Sequence, residues 1–214
     1  MVLKLYGFPS STAVKIAAIV LHEKKIPFEF VTVNLLTGEN KKEDYTEKQP
    51  YGQVPCIDDN GFLLYESRAI ARYLVDTYPE HGPQLIPTDS KKRAIFEQAV
   101  SSEAFNFSRY ASPLNFELVI KKLIGGQPDS ALVEDLTKTL SAKLDVYEKI
   151  LSGQKYLAGD EITLADLFHI PNADLLIKGG LPLIQDRPNV ARWYNDISSR
   201  ESWQKIKDGV SASL

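Results

Sequence analysis

Residues 51–70 read Tyr51-Gly52-Gln53-Val54-Pro55-Cys56-Ile57-Asp58-Asp59-Asn60-Gly61-Phe62-Leu63-Leu64-Tyr65-Glu66-Ser67-Arg68-Ala69-Ile70, and this stretch decides the fold. Asn60-Gly61 lies between two apolar runs and both residues accept positive φ, so Val54 to Ile57 and Phe62 to Tyr65 are expected to pair as an antiparallel hairpin. Pro55 stands at the entry of the first strand. It supplies no N–H, an X-Pro bond there can be cis, and the Val54 backbone is left as an open edge for an extended peptide. Glu66-Ser67 then open a helix whose apolar period runs through Ile70, Leu74 and Val75. An open backbone edge beside a helix N-terminus that carries a serine hydroxyl can hold a small peptide ending in a carboxylate.

Working outward, Val2 to Tyr6 reads as a strand. Thr12 to Glu23 reads as a helix with Val14, Ala17, Ala18 and Leu21 on one face, and Phe28 to Val33 as a second strand. Asn40 to Glu47 is a short polar helix or coil. The order strand, helix, strand, helix, strand, strand, helix over one mixed sheet is that of thioredoxin-like α/β domains. Pro79 to Ser90 holds three prolines and a glycine, which neither helix nor strand tolerates, and marks a linker. Beyond it the period is 3.6 over roughly Lys91 to Ile124, Ser130 to Leu151, Leu164 to Leu176, Asn189 to Ser199 and Trp203 to Lys207. The expected organisation is a thioredoxin-like domain over 1–80, a linker over 81–90 and an all-α helical bundle over 91–214. Thr163-Leu-Ala-Asp166 reads as a capping box with Ile162 and Leu167 as its staple, structural in role. Pro171 is expected to kink the helix that follows.

Composition limits the function. With 214 residues and 43% hydrophobic content the chain can bury a real core. Net charge is −3; residues 1–80 hold 9 Lys and Arg against 11 Asp and Glu, the remainder 16 against 17, so neither part is a basic nucleic-acid binder. The apolar N-terminal strand has no signal-peptide pattern, and no apolar run reaches membrane-spanning length, so no membrane association and a cytoplasmic location are expected. Cys56 is the lone cysteine, and His22, His81 and His169 lack ligand spacing, so no disulfide framework and no metal site are expected.

The Gly-Gln-Val-Pro and Glu-Ser segments together strongly resemble the glutathione transferases. Pro9-Ser10-Ser11-Thr12-Ala13 is similar to the Pro-Ala-Ser-Thr-Ala of the phi class, whose catalytic serine is the second residue after proline. The likeness extends through Leu21-His22-Glu23-Lys24-Lys25, Gly38-Glu39-Asn40-Lys41-Lys42, Thr163-Leu-Ala-Asp-Leu and His169-Ile-Pro-Asn.

The resemblance implies glutathione as co-substrate and Ser11 as the hydroxyl that stabilises its thiolate; Ser10 and Thr12 are the fallbacks, and an N-cap is the plain structural role of Ser11. A hydroxyl together with a helix N-terminus can lower a thiol pKa by one to two units from about 8.5, and no general base is required. Thiol reductases of this fold carry a cysteine where this chain has serine, so that chemistry is disfavoured. For the tripeptide, Ser67 is assigned to the γ-glutamyl carboxylate, Glu66 to the ammonium, and the Val54 backbone before Pro55 to the cysteinyl residue. Asn40, Lys41 and Gln53 are assigned to the glycyl end, and Cys56 is core filler. An apolar electrophile is expected to meet Phe8 and Leu36 of the first domain and Phe105, Tyr110 and Leu114 of the second, with Phe107, Phe116 and Leu118 nearby. A homodimer with Tyr51 in its contact and peroxidase activity toward organic hydroperoxides are further implications. The rival is a non-catalytic carrier of apolar ligands or an interaction module on the same fold.

Overall fold

The computed structural model describes residues 2–213, which form two compact units. The first takes the residues up to Leu85 together with those from Arg200 on, and the second spans Ile86–Ser199. This differs from the expected division, in which everything beyond residue 90 belonged to the helical domain. The difference has identifiable causes: Arg200 Nε and Nη2 donate to the two carboxylate oxygens of Glu23 at 2.6 and 2.7 Å, Ser202 Oγ donates to Glu23 at 2.5 Å, and Ser213 forms an antiparallel bridge with Phe28.

In the first unit, β1 (Leu3–Gly7), β2 (Phe28–Thr32), β3 (Cys56–Asp59) and β4 (Phe62–Tyr65) form a four-stranded sheet in the order β2-β1-β3-β4. The β1–β2 pair is parallel and joined by the α1 (Thr12–Glu23) crossover; β1–β3 and β3–β4 are antiparallel. The hairpin turn is as its residues require, with Asn60 at φ 55° and Gly61 at φ 90°. Strand β3 begins at Cys56 rather than Val54. Pro55 has no N–H to give the ladder, and the Val54–Pro55 bond is cis.

Helix α1 is buried on more than the one expected face: Ile16, Ile19 and Val20 are as buried as Val14 and Leu21, because α1 packs against both α3 (Ser67–Thr77) and α11 (Glu201–Gln204). The polar stretch after β2 forms a 3-10 turn at Glu39–Lys41 and the short α2 (Glu43–Thr46). Asp59 ties the hairpin to α3 and its C-terminal edge by accepting from the hydroxyls of Tyr73 and Tyr78 at 2.8 and 2.7 Å.

The second unit is helical. Residues 90–123 run as α4 (Ser90–Ser102), a π-helical turn at Glu103–Ser108, α5 (Arg109–Asn115), a second π-helical turn at Phe116–Ile120 and α6 (Lys121–Leu123). Pro113, which can donate no helical hydrogen bond, lies between the two wide turns. Then follow α7 (Ser130–Gly153), α8 (Leu164–Leu167), α9 (Ile170–Lys178) and α10 (Pro188–Ser198).

The kink expected at Pro171 is a full break. The helix stops at Leu167, Phe168 and His169 make a turn, and α9 restarts with Pro171 in its first turn, where the missing N–H has no helical partner to lose. The capping box forms as read. The fully buried Asp166 carboxylate accepts from Thr163 N at 2.9 Å and Thr163 Oγ1 at 3.2 Å, and also from Leu157 N at 3.0 Å and Trp193 Nε1 at 2.9 Å. Burial pushes the carboxyl pKa up, and these donors pull against it.

Asp166→Ala strands four buried donors on three residues, Leu157, Thr163 and Trp193. With about 1–3 kcal/mol for each group left unmade, the variant should lose roughly 3–5 kcal/mol in urea unfolding followed by tryptophan fluorescence. A loss below about 1 kcal/mol removes Asp166 from the centre of this unit.

Candidate active site

Strand register assembles the site. Tyr6 of β1 and Tyr65 of β4 both pair with Cys56, the first residue of β3. The residues that follow β1, those that precede β3 and those that follow β4 therefore emerge at one rim of the sheet. At that rim lie the Phe8–Ser11 loop, Val54–Pro55 and Glu66–Ser67, all within the first unit.

Ser11 is the N-cap of α1 at φ −63° and ψ 127°, and its Oγ accepts from Val14 N at a long 3.4 Å. The cap uses a lone pair of the hydroxyl and leaves its hydrogen available to donate. The two roles weighed from the sequence are thus compatible in one side chain. Ser10 is exposed in the turn, and Thr12 is the first residue of the helix. Ser67 is the first residue of α3 and 6% exposed, and the side chain of the N-cap residue, Glu66, does not cap that helix. Its opening N–H groups are of the kind that receive an anion. Glu66 is held at φ 70° and ψ 107°, a sparsely populated region for a residue with a Cβ, at a cost of order 1–3 kcal/mol. Strain of that size at the entrance to a helix is characteristic of sites where a backbone direction matters.

The Pro50–Val54 segment is held by the preceding polar stretch. Lys41 Nζ donates to Tyr51 O at 3.0 Å, Asn40 Nδ2 to Gly52 O at 2.7 Å and the Tyr45 hydroxyl to Gln53 O at 2.7 Å, so three successive carbonyls each receive a side chain. Gln53 N in turn donates to Gln49 Oε1 at 2.9 Å. Gly52 is required at this crossing: its φ is 60°, and a Cβ would lie 2.6 Å from Asn40 O and 2.8 Å from the Lys41 side chain. Asn40 and Lys41, read as direct ligands, therefore also frame the loop. The exposed Lys41 ammonium keeps further donors beyond its one bond to Tyr51.

Val54 is half-buried against a cluster of Val33, Tyr45 and Cys56, while Gln53 is exposed. Cys56 is wholly buried, and burial pushes its thiol up to about 11, which suits core filler and not a reactive thiol. Tyr45 and Gln49 had not been singled out in the sequence. The one signal was a lone aromatic in an otherwise polar segment, and burial pushes the pKa of its hydroxyl up.

Of the apolar candidates, Leu36 is 76% exposed and Phe8 half-buried. In the helical unit, Phe105 is 67% exposed in the first π-helical turn and Tyr110 is half-buried in α5, whereas Leu114 and Phe107 are buried. Tyr51 is 65% exposed, with its ring edge-on to Tyr65 at 6.1 Å. Among the described residues, no group of three or more His, Cys, Asp and Glu side chains is placed to hold a metal ion, and no helix is long and apolar enough to cross a membrane.

Tyr45→Phe removes the donor to Gln53 O and keeps the ring in its cluster. On the expectation from the sequence resemblance that this loop receives glutathione, one hydrogen bond of about 1 kcal/mol corresponds to a roughly fivefold rise in the KM for it, with kcat unchanged in steady-state kinetics. An unchanged KM takes Tyr45 out of the loop's support.

With this geometry in hand, known proteins give a consistent comparison. The family description "Glutathione S-transferase, N-terminal domain" matches residues 1–76, and "Glutathione S-transferase, C-terminal domain" matches residues 100–201. Glutathione S-transferase hmp2 of Hypomyces subiculosus is 45% identical over 209 residues, covering 96% of this chain and 97% of its own. The crystal structure of glutathione transferase F2 from Populus trichocarpa superposes with a TM-score of 0.92 at 40% identity, over 96% of this chain and 97% of that one. Glutathione S-transferase I from maize, in complex with an atrazine glutathione conjugate, superposes with a TM-score of 0.87 at 31% identity, over 96% of each chain. The chain belongs to the glutathione S-transferase family, in its phi class.

Proposed function

We propose that this transferase conjugates the glutathione thiolate to apolar electrophiles, with the Ser11 O–H donating to the sulfur. The observation that carries the reading is the junction of Ser11 and α1: a hydroxyl whose oxygen is engaged by Val14 N–H and whose hydrogen is free to turn outward, at the positive end of a helix. Such a pair favours the ionised thiol by about one to two pKa units, or roughly 1.4–2.7 kcal/mol, without a base. Glutathione extends along the rim, its cysteinyl backbone on Val54 beside Pro55 and its γ-glutamyl carboxylate on Ser67 and the first N–H groups of α3. Its ammonium lies near Glu66 and its glycyl end near Gln53, Asn40 and Lys41.

Support also comes from the maize relative, which holds a glutathione conjugate of atrazine, an aromatic electrophile. Phe8 and Leu36 are the apolar side chains of the first unit, and Phe105 and Tyr110 those of the helical unit, proposed as contacts for the electrophile; Leu114 is wholly buried and is not proposed as a contact. The same thiolate can attack the O–O bond of an organic hydroperoxide, releasing an alcohol and a glutathione sulfenic acid. A second glutathione then converts the sulfenic acid to the disulfide and water.

We also infer a homodimer with Tyr51 in the contact. A tyrosine ring two-thirds exposed is a large apolar surface for a monomer to leave in water. The helical unit carries a cleft of about 360 Å³, lined by Ser102, Phe105, Tyr147 and Ile150 among others, of a size to take an aromatic ring from a second copy.

Ser11→Ala should leave the KM for glutathione within a few fold and lower kcat for conjugation of an aryl halide by roughly ten- to a thousandfold. Ser67→Ala should do the reverse, raising the KM for glutathione more than it lowers kcat, because it touches the carboxylate and not the sulfur. A Ser11→Ala protein that loses only about 1 kcal/mol of stability and keeps its turnover reduces Ser11 to a helix cap and favours a carrier or a different hydroxyl. In sedimentation across a concentration series the wild type should be dimeric and Tyr51→Ala measurably more dissociated. A monomeric wild type sinks the dimer, and an equally tight mutant sinks the role of Tyr51.

A further inference from the structure

Gly209–Ser213 has no helix and pairs with a strand only at its end, yet it crosses the loop that carries Ser11. Val210 N–H donates to Pro9 O at 3.1 Å, and a Cβ on Gly209 would stand in ordinary van der Waals contact with Pro9 Cβ, at 3.8 Å. Val210 itself is 4% exposed. We propose that Gly209–Ser213 is a strap that positions the thiolate-binding loop, acting through the Val210 N–H to Pro9 carbonyl hydrogen bond. The inference rests on the reading of Ser11 given above and adds a positioning residue to it.

The carbonyl that the strap holds is a particular one. Ser11 N–H donates to Phe8 O at 3.0 Å, so Phe8-Pro9-Ser10-Ser11 is a β-turn with Pro9 and Ser10 at its centre. Type I and type II turns differ by a flip of the central peptide, whose carbonyl oxygen belongs here to Pro9. Type II requires positive φ at Ser10. Ser10 is not among the residues with positive φ, so the turn is not type II. A hydrogen bond on Pro9 O opposes rotation of that peptide, and with it any change in the direction from which the chain enters Ser11 and the cap of α1.

The strap is anchored on either side of Val210. Upstream, Lys15 Nζ donates to Lys207 O at 2.6 Å, and Lys15 belongs to the helix that Ser11 caps. Downstream, Phe28 N donates to Ser213 O at 2.7 Å and Ser213 N to Phe28 O at 3.0 Å, extending the sheet beyond β2. A chain held at two points presents the amide between them in one place. Its own ordering cost is met by these anchors and not by the loop.

The test compares V210P, which deletes the N–H on Pro9, with S213P, which deletes an N–H of the downstream anchor. Ionisation of bound glutathione is read by thiolate absorbance, together with kcat and KM. V210P should raise the apparent pKa of the bound thiol by about half a unit to one unit and lower kcat at pH 6.5 roughly three- to tenfold, with the KM for glutathione within about twofold. S213P, which loosens the downstream anchor with the Val210 amide intact, should raise the thiol pKa by less than V210P does, even where its melting temperature falls further. V210P titrating like the wild type, or S213P shifting as far as V210P, overturns the strap. Should V210P not fold, Lys15→Met loosens the upstream anchor with the Val210 amide intact. A smaller rise in the thiol pKa then supports the strap and no rise overturns it. A Ser11→Ala protein that titrates like the wild type overturns the role of Ser11 and not the strap, which is judged on V210P against S213P.

Discussion

The alignment of Tyr6, Cys56 and Tyr65 across three adjacent strands is the constraint on which the rest of the site depends. Because side chains alternate along a strand, a slip of one residue in β3 would turn Cys56 away from the cluster with Val33 and Tyr45 and carry the half-buried Asp58 to the opposite face, where Ile57 is wholly buried. Burial of that cluster therefore fixes the register, and the register decides which loops share a rim. Three segments far apart in sequence, at residues 8–11, 53–55 and 66–67, become neighbours with no contact specific to a ligand having been built. Chemistry enters only with the side chains that happen to emerge there: a hydroxyl on one helix N-terminus, a second hydroxyl on another, and an unpaired backbone edge between them.

A rim of turns would be too loose to bind a tripeptide if nothing held it, since each ordered backbone residue costs about 1–2 kcal/mol. The chain meets this cost before a ligand arrives. Lys41, Asn40 and Tyr45 each hold a carbonyl of Tyr51-Gly52-Gln53, and Gln49 holds an amide of the same segment. Glu66 keeps a strained backbone under the restraint of the hairpin on one side and α3 on the other. The Phe8–Ser11 turn is closed by its own hydrogen bond and crossed by Val210. Preorganisation is thus spread over side chains some of which, such as Tyr45 and Gln49, have no part in the proposed contacts with glutathione, which is how the proposed Ser11 hydroxyl would be aimed at a bound thiol.

Much of this is legible from the sequence where the determinant is local. Asn60-Gly61 announces the hairpin through backbone permissiveness, Thr12 to Glu23 through its period, and Thr163 to Asp166 through a cap that needs only four residues. The motifs around Ser11, Val54-Pro55 and Glu66-Ser67 identify the family because they stand in order at fixed spacing. What was not legible depends on partners distant in sequence. Tyr45 looks like one aromatic in a polar helix until Gln53 O is seen beside its hydroxyl. Trp203 to Lys207 carries a helical period and reads as the end of a bundle, yet Glu23, Lys15, Pro9 and Phe28 draw the chain from Arg200 to Ser213 back to the first unit. Pro171 was read correctly as a disruption. Whether a helix bends or restarts there is settled by the buried turn at Phe168 and His169, whose ring is held between Ala165 O at 2.7 Å and the Tyr147 hydroxyl at 3.1 Å.

The central claim is that one rim of the sheet, assembled by the β3 register, is where glutathione lies. Amide chemical shifts of the isotope-labelled protein recorded through a glutathione titration test it most directly. Saturable shifts concentrated at Ser11, Gln53, Val54, Ser67 and Arg68, with Val210 following as the strap tightens, are the result expected. Shifts of the same size concentrated away from that rim, with those amides unmoved at saturation, would contradict it.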